Sequence, residues 1–388
     1  MKRSTIVLVG VLGLIATLVL PTTSAGAATT YQVTVGKFLK GAPAESMRFF
    51  PETIDVHQGD TLHFTTPSFH TATLLPVGQG VVDWYDANAT IGQAEPYSLV
   101  VPDIEDTPHT YRFGNAAIFP TSSTCGGADQ PACSYDGTSV LNSGAPFFAP
   151  VELSATINAS AGSSFWVLCL IHGPNMRMKV NVVAGAEPAS DPADLKAANS
   201  QAVAQDSATA AALNTKYSAK QTWHKEGGHR VWDAWAGVDT RHLSLYGMYP
   251  QTLNIARGDT VEWHFDSLTF EQHTVTFPID TAREIANGGG PPACDPDGDA
   301  GPAPDGPPDK MEPPFCNDPT HLEIHLDPRF VPRVGNGTFT GHDLENSGVR
   351  GSELPDANYD LKFGARSSTG FKYICMIHTF MRGRVVVR

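Results

Sequence analysis

Two stretches of the sequence, FWVLCLIHGPNMRMKVNVV (165–183) and FKYICMIHTFMRGRVVVR (371–388), are variants of one pattern. Each reads as an extended run, a cysteine, a histidine three positions on, a methionine within the same turn, and a second extended run. The chemistry-bearing residues are Cys169, His172 and Met176 in the first copy and Cys375, His378 and Met381 in the second. In FKYIC, strand alternation puts Phe371, Tyr373 and Cys375 on one face, so the thiol ends beside the core. His378 then presents a ring nitrogen to the same point, and Met381 brings a thioether across the turn. A thiolate, an imidazole and a thioether are three metal ligands of different softness, and together they suit copper.

The copies differ in spacing. Three residues separate His172 from Met176, and two separate His378 from Met381, which leaves Met178 as a rival. Aligning MRMKV with MRGRV pairs Met176 with Met381 and Met178 with Gly383, so Met176 is preferred. Core filling is the plainer use of either methionine.

The repetition extends upstream. FFPETIDVHQGDTLHF (49–64) and MYPQTLNIARGDTVEWHF (248–265) share a proline, a Gly-Asp-Thr turn and a following alternating strand. Both lead to a histidine among threonines, SFHTATLLP at His70 and EQHTVTFP at His273, and later to SVLNSG (139–144) and DLENSG (343–348). The histidines recur in register, so His70 and His273 are nominated as the fourth members of the two ligand sets. The chain is thus expected to be all-β, with two homologous antiparallel sandwiches at about 30–184 and 223–388. Between them, 185–222 is Ala-rich; Ser190 as a cap and Pro192 in the first turn predict a helical connector. Hardly any helix is expected inside either unit.

Lys2 and Arg3, an apolar run, and small residues at Ala25 and Ala27 have the layout of a secretory signal over 1–28. The mature protein is expected outside the cytoplasm, with no membrane span. A net charge of -14 without a Lys/Arg-rich stretch argues against nucleic acid as a partner. Of six cysteines, Cys125 with Cys133 and Cys294 with Cys316 are expected as local bridges, leaving Cys169 and Cys375 as metal thiolates. The Gly/Pro/Asp-rich segment 286–319 should be irregular; its Asp295, Asp297 and Asp299 hint at calcium, but Gly298 is misplaced for the helix–loop–helix calcium motif. His57, His63, His109, His242, His264 and His342 have no partner pattern and read as surface or satisfied core residues. His321 with His325, or His224 with His229, could hold an accessory metal.

Both units resemble cupredoxins, the plastocyanin- and azurin-like blue copper domains. The resemblance lies in the histidine after the Gly-Asp-Thr strand and in C-x-x-H followed closely by Met. It implies Greek-key β-sandwiches, one type 1 copper per unit, and electron transfer with redox partner proteins. Carried over residue by residue, the ligands would be His70, Cys169, His172 and Met176, then His273, Cys375, His378 and Met381. The related multicopper enzymes place a histidine beside the type 1 cysteine. Here the neighbours are Leu168 and Leu170, then Ile374 and Met376, and no H-x-H pair occurs. On that ground an electron carrier is expected rather than an enzyme. Copper handling for resistance, storage or delivery would use the same ligands.

Overall fold

The computed structural model describes residues 27–90, 97–98, 100–102, 111–113, 124–146, 150–265, 268–287, 293–294, 322–351 and 358–388. Residues 1–26, Cys316 and most of the acidic loop lie outside these residues, so the expected signal over 1–28, the Cys294–Cys316 bridge and the calcium reading are not addressed.

Alternating apolar side chains make the long strands. Tyr31, Val33 and Val35 in Thr30–Phe38 are buried, as are Leu62 and Phe64 in Thr61–Thr66, and both sets face one core. Each repeat builds the same two-layer unit. In the first, a five-stranded sheet runs Thr53–His57, Arg177–Val183, Ser164–Leu168, Thr73–Leu74, Leu141–Asn142. In the second, the order is the same: Thr252–Ile255, Arg382–Val387, Ser367–Ile374, Thr276–Phe277, Glu345–Asn346. The architecture is all-β and cupredoxin-like.

The facing layers of the two units are one continuous 11-stranded sheet. Strand Ala44–Phe50 of the first unit pairs antiparallel with Leu243–Tyr249 of the second, Glu45 opposite Ser244. Moving outward, Thr30–Phe38 matches His229–Thr240, Thr61–Thr66 matches Thr260–His264, and Val151–Ile157 matches Asn358–Phe363, so the sheet reads alike in both directions. The relation between the units is therefore set by main-chain hydrogen bonds.

The connector helix, Pro192–Ser218, is capped by Asp191, whose side chain accepts the Ala193 N–H. This corrects the expected Ser190 cap: Asp191 directly precedes Pro192, and Ser190 Oγ instead accepts the Asp55 N–H. The helix clamps the join between the units. Val203, Ala210, Leu213 and Tyr217 pack on Leu39, Ala44, Trp235, Leu243, Leu245 and Tyr249 from both sides of it. Buried Asp206 accepts hydrogen bonds from Ser46 and Arg48. Each unit also holds one short helix that was not expected, Val81–Asn88 and Ile279–Asn287, following the corresponding short strand. Eight or nine residues carry little helical periodicity to read. Their burial against Leu75 and Leu170, or Ile374 and Met376, stabilises them instead.

Candidate metal centres

In each unit the strand carrying the cysteine ends one residue before it, so the thiol emerges at the sandwich rim and the chain turns at once. Cys169 follows Ser164–Leu168, and Cys375 follows Ser367–Ile374. The turn is closed by the main chain: Cys169 N–H donates to the Met176 carbonyl (3.0 Å) and Cys375 N–H to that of Met381 (3.1 Å). Met176 and Met381 therefore hold the same place in the two turns. Met178 lies beyond, in a strand opposite Val167, where the second unit has Gly383 opposite Tyr373. Both turn methionines are buried.

The distant histidines arrive as the repeat nominated. His70 Nδ1 lies 3.7 Å from Cys169 Sγ, His172 Nδ1 lies 3.5 Å from it, and the two nitrogens are 2.8 Å apart. His273 and His378 place Nδ1 at 4.0 and 3.8 Å from Cys375 Sγ and 3.3 Å from each other. In each triad the point equidistant from the three atoms lies about 2 Å from all of them, within the ~2.0–2.3 Å range of metal–imidazole and metal–thiolate bonds. The donor set and its spacing fit a single copper-sized ion in each unit.

The surroundings are duplicated too. Thr71 N–H donates to Cys169 Sγ (3.4 Å) and Thr274 N–H to Cys375 Sγ (3.3 Å). The hydroxyls of the same threonines accept the N–H of Leu170 and Met376, fastening the turn after the cysteine. Ser143 and Ser347, from the repeated Asn-Ser-Gly, accept the N–H of Ala72 and Val275. Gly36 and Gly237, at φ 72° and 80°, make room for the first histidines: a Cβ there would come within 2.1 and 2.2 Å of His70 Nε2 and His273 Nε2.

Burial opposes ionisation of Cys169, but the charge of His172 and hydrogen bonds from His172 and His70 hold its thiol well below the usual value. At Cys375 burial is likewise outweighed by hydrogen bonds from His273 and His378, and the thiol falls to about 5. Both cysteines are poised as thiolates, the form that ligates metal.

Sequence reasoning did not find Glu45 and Glu271. Both are buried; Glu45 Oε1 lies 2.9 Å from His70 Nε2, and Glu271 touches His172 and His378. Their signal was weak: Glu45 has Ser244 at the equivalent place in the second unit, and Glu271 serves His172 from the other unit. The accessory pair His224 and His229 is not brought together as a site. His224 instead gathers with Asp233 and Glu262 on the outer face of the second unit, with His264 Nε2 3.1 Å from Asp233. His321 and the side chain of His325 lie outside the described residues. His57 and His63 are held by local partners, the Glu187 carbonyl and Ser154. The expected bridge Cys125–Cys133 is formed, and Cys169 and Cys375 are free. Among the described residues no helix is long and apolar enough to cross a membrane.

No protein-family model matches the chain, and no curated protein matches it. Among solved structures it is similar to a multicopper oxidase, mgLAC, at 10% identity and TM-score 0.17, covering 65% of this chain and 65% of that one. A Cu-containing nitrite reductase from Thermus scotoductus SA-01 follows at 14% identity and TM-score 0.21, covering 93% and 68%. A blue copper oxidase from Nitrosomonas europaea stands at 10% identity and TM-score 0.15, covering 64% of each chain. The chain thus spans slightly less than two thirds of the length of the two oxidases. At these scores the likenesses assign no activity to this chain. All three names are nonetheless those of enzymes, and the expectation of a non-enzyme is corrected on that finding. Its physical premise was also too narrow. A polar group can reach the ligands from a distant segment, as Glu271 does, without any residue beside the cysteine.

Proposed function

We propose that the protein is an exported copper redox protein with one type 1 copper in each sandwich. His70, Cys169, His172 and Met176 would hold the first ion; His273, Cys375, His378 and Met381 would hold the second. The observation that carries this reading is the pair of buried thiolate–imidazole triads, each converging on one metal-sized point. Copper bound there supplies a one-electron couple.

The rest of the work belongs to the chain. The sandwiches hold two imidazoles side by side against each thiol, so that little rearranges when charge changes. The threonine N–H groups stabilise the sulfur's negative charge, which favours one oxidation state over the other. Ile171, Met176 and Met381, buried in the same core as the cysteines, exclude water from the thiols. His378 lies nearest the surface, beside exposed Ile377 and Phe380, and offers electrons a way in from a redox partner protein. Export rests on the N-terminal leader pattern.

Copper-loaded protein is expected to bind two coppers per chain, to be intensely blue when oxidised, and to bleach reversibly with a one-electron reductant. A metal count of zero, or a colourless copper complex without the spectrum of a copper–thiolate bond, overturns the reading. Turnover with dioxygen or nitrite in the same preparation would identify a small-molecule electron acceptor.

A further inference from the structure

Glu271 stands two residues before His273, yet its carboxylate is not directed at that histidine. Its Oε2 lies 2.9 Å from Nε2 of His172 in the first unit, and its Oε1 lies 3.2 Å from Nε2 of His378 in the second. One carboxylate thus spans one imidazole from each triad. The same oxygen Oε2 is 3.1 Å from the Tyr246 hydroxyl, which is 3.0 Å from Glu45 Oε2, and Glu45 reaches His70. The equivalent of Glu271 in the first unit is Ser68, which donates to Glu45, so the bridge exists only once.

The contact is built into the backbone. Phe270, the preceding residue, is the one described non-glycine residue at positive φ (58°), a conformation that costs energy unless its surroundings enforce it. Its ring covers Gly173, where a Cβ would come within 3.0 Å of it, and meets Tyr85 edge-on at 6.2 Å. Asn175 Nδ2 donates to the Leu268 carbonyl from across the interface. A strained turn locked onto the other unit aims Glu271 at both histidines.

We propose that Glu271 is a positioning residue that couples the two metal centres, making them one electrostatic unit; this rests on the copper reading above. With Nδ1 turned to the metal, each imidazole carries its proton on Nε2, so His172 and His378 both donate to Glu271. The two imidazoles meet different oxygens of the carboxylate; an amide in its place would offer an oxygen to one and an N–H donor to the other. The charges also match. A cupric ion on a thiolate leaves one net positive charge, and a cuprous ion leaves none. Two oxidised centres therefore meet two buried carboxylates, Glu45 and Glu271. An electron moved from one centre to the other leaves the total unchanged, and no proton has to move with it.

The test is potentiometric titration of copper-loaded protein, with each centre isolated by C375S or C169S. A parent protein lacking two blue centres overturns the copper reading and the coupling together, before any second substitution is made. Given two centres, E271Q should raise the midpoint potentials of both, because the oxidised forms lose a compensating charge. E45Q should raise that of the first centre more than that of the second. Emptying either site should shift the midpoint of the other in wild type. If E271Q moves only one potential or neither while both centres stay blue, or if the midpoints ignore each other's occupancy, the coupling is overturned. Should E271Q fail to fold, E271D keeps the charge but is one methylene too short for both bonds. It should alter the copper resonance spectrum of one centre and weaken the mutual shift, and an unchanged mutual shift overturns the coupling.

Discussion

The two triads have the same ligands, the same threonine N–H bonds and the same glycine beside the first histidine, yet they meet solvent differently. The His172 side chain is 5% exposed, and that of His378 is 17% exposed. Over the first triad lies a segment of the other unit, with Phe270 on Gly173 and Leu268 accepting from Asn175. No such cover lies over the second among the described residues; Ile377 and Phe380 of its turn stand 37% and 59% exposed. Duplication produced two equal pockets, and packing one unit on the other made the first internal and left the second facing outward. Ligand identity therefore does not decide which site faces solvent. The interface does.

The sharpest way to break this comparison is to remove one thiolate at a time. C169S and C375S should each abolish one copper and about half of the blue absorption, a complete loss at the altered centre. The centre left in C375S should react more slowly with a bulky soluble oxidant than the one left in C169S, measured by stopped flow; equal rates would mean that the cover does not matter.

A second contrast concerns pH. Asp239 of the second unit stands where the first has exposed Phe38, each one place along from the strand pair at the join. Burial pushes its carboxyl up to about 7, against hydrogen bonds from Thr269 and Ser244. The folded form then holds a proton that the unfolded chain has released, so stability falls as pH rises from about 4 to about 7. The loss amounts to roughly 4 kcal/mol at most for a shift of this size. D239N should lack this component, seen as a flatter dependence of the denaturant midpoint on pH.

The first unit carries a further constraint. The Cys125–Cys133 bridge closes a short loop against the sheet edge. Replacing both cysteines with alanine should cost about 2–3 kcal/mol by loop-closure entropy, measured by chemical denaturation. The cost should fall on the first unit, with the second centre retaining its copper. Smallest and most nearly equal should be T71V and T274V. Each strands a buried N–H, of Leu170 or Met376, and should cost about 1 kcal/mol. A large difference between the two would show that the triads are less alike than their hydrogen bonds.

Much of this was legible because it is periodic or duplicated. The C-x-x-H turns, the upstream histidines and the Asn-Ser-Gly segments each occur twice, and two copies in register make coincidence improbable. His70 and His273 could be nominated from far along the chain for that reason alone. Glu45, Glu271 and Tyr246 could not, because they break the repeat: Glu271 aligns with Ser68, and Tyr246 with Met47. Residues that join the two units are by nature the ones a repeat does not predict. The Asp191 cap and the two short helices were missed for a local reason, since one residue of offset, or two turns of helix, leaves little pattern to read.

The antiparallel pairing of Ala44–Phe50 with Leu243–Tyr249 has a consequence for either half taken alone. Its strand would become a bare rim of unpaired N–H and C=O groups, and such a rim recruits another chain. The pairing is nearly symmetric about Glu45 and Ser244, so a second copy of the same half can complete it. A single-unit ancestor of this chain would thus have had a ready isologous dimer contact, which fusion later turned into an internal seam.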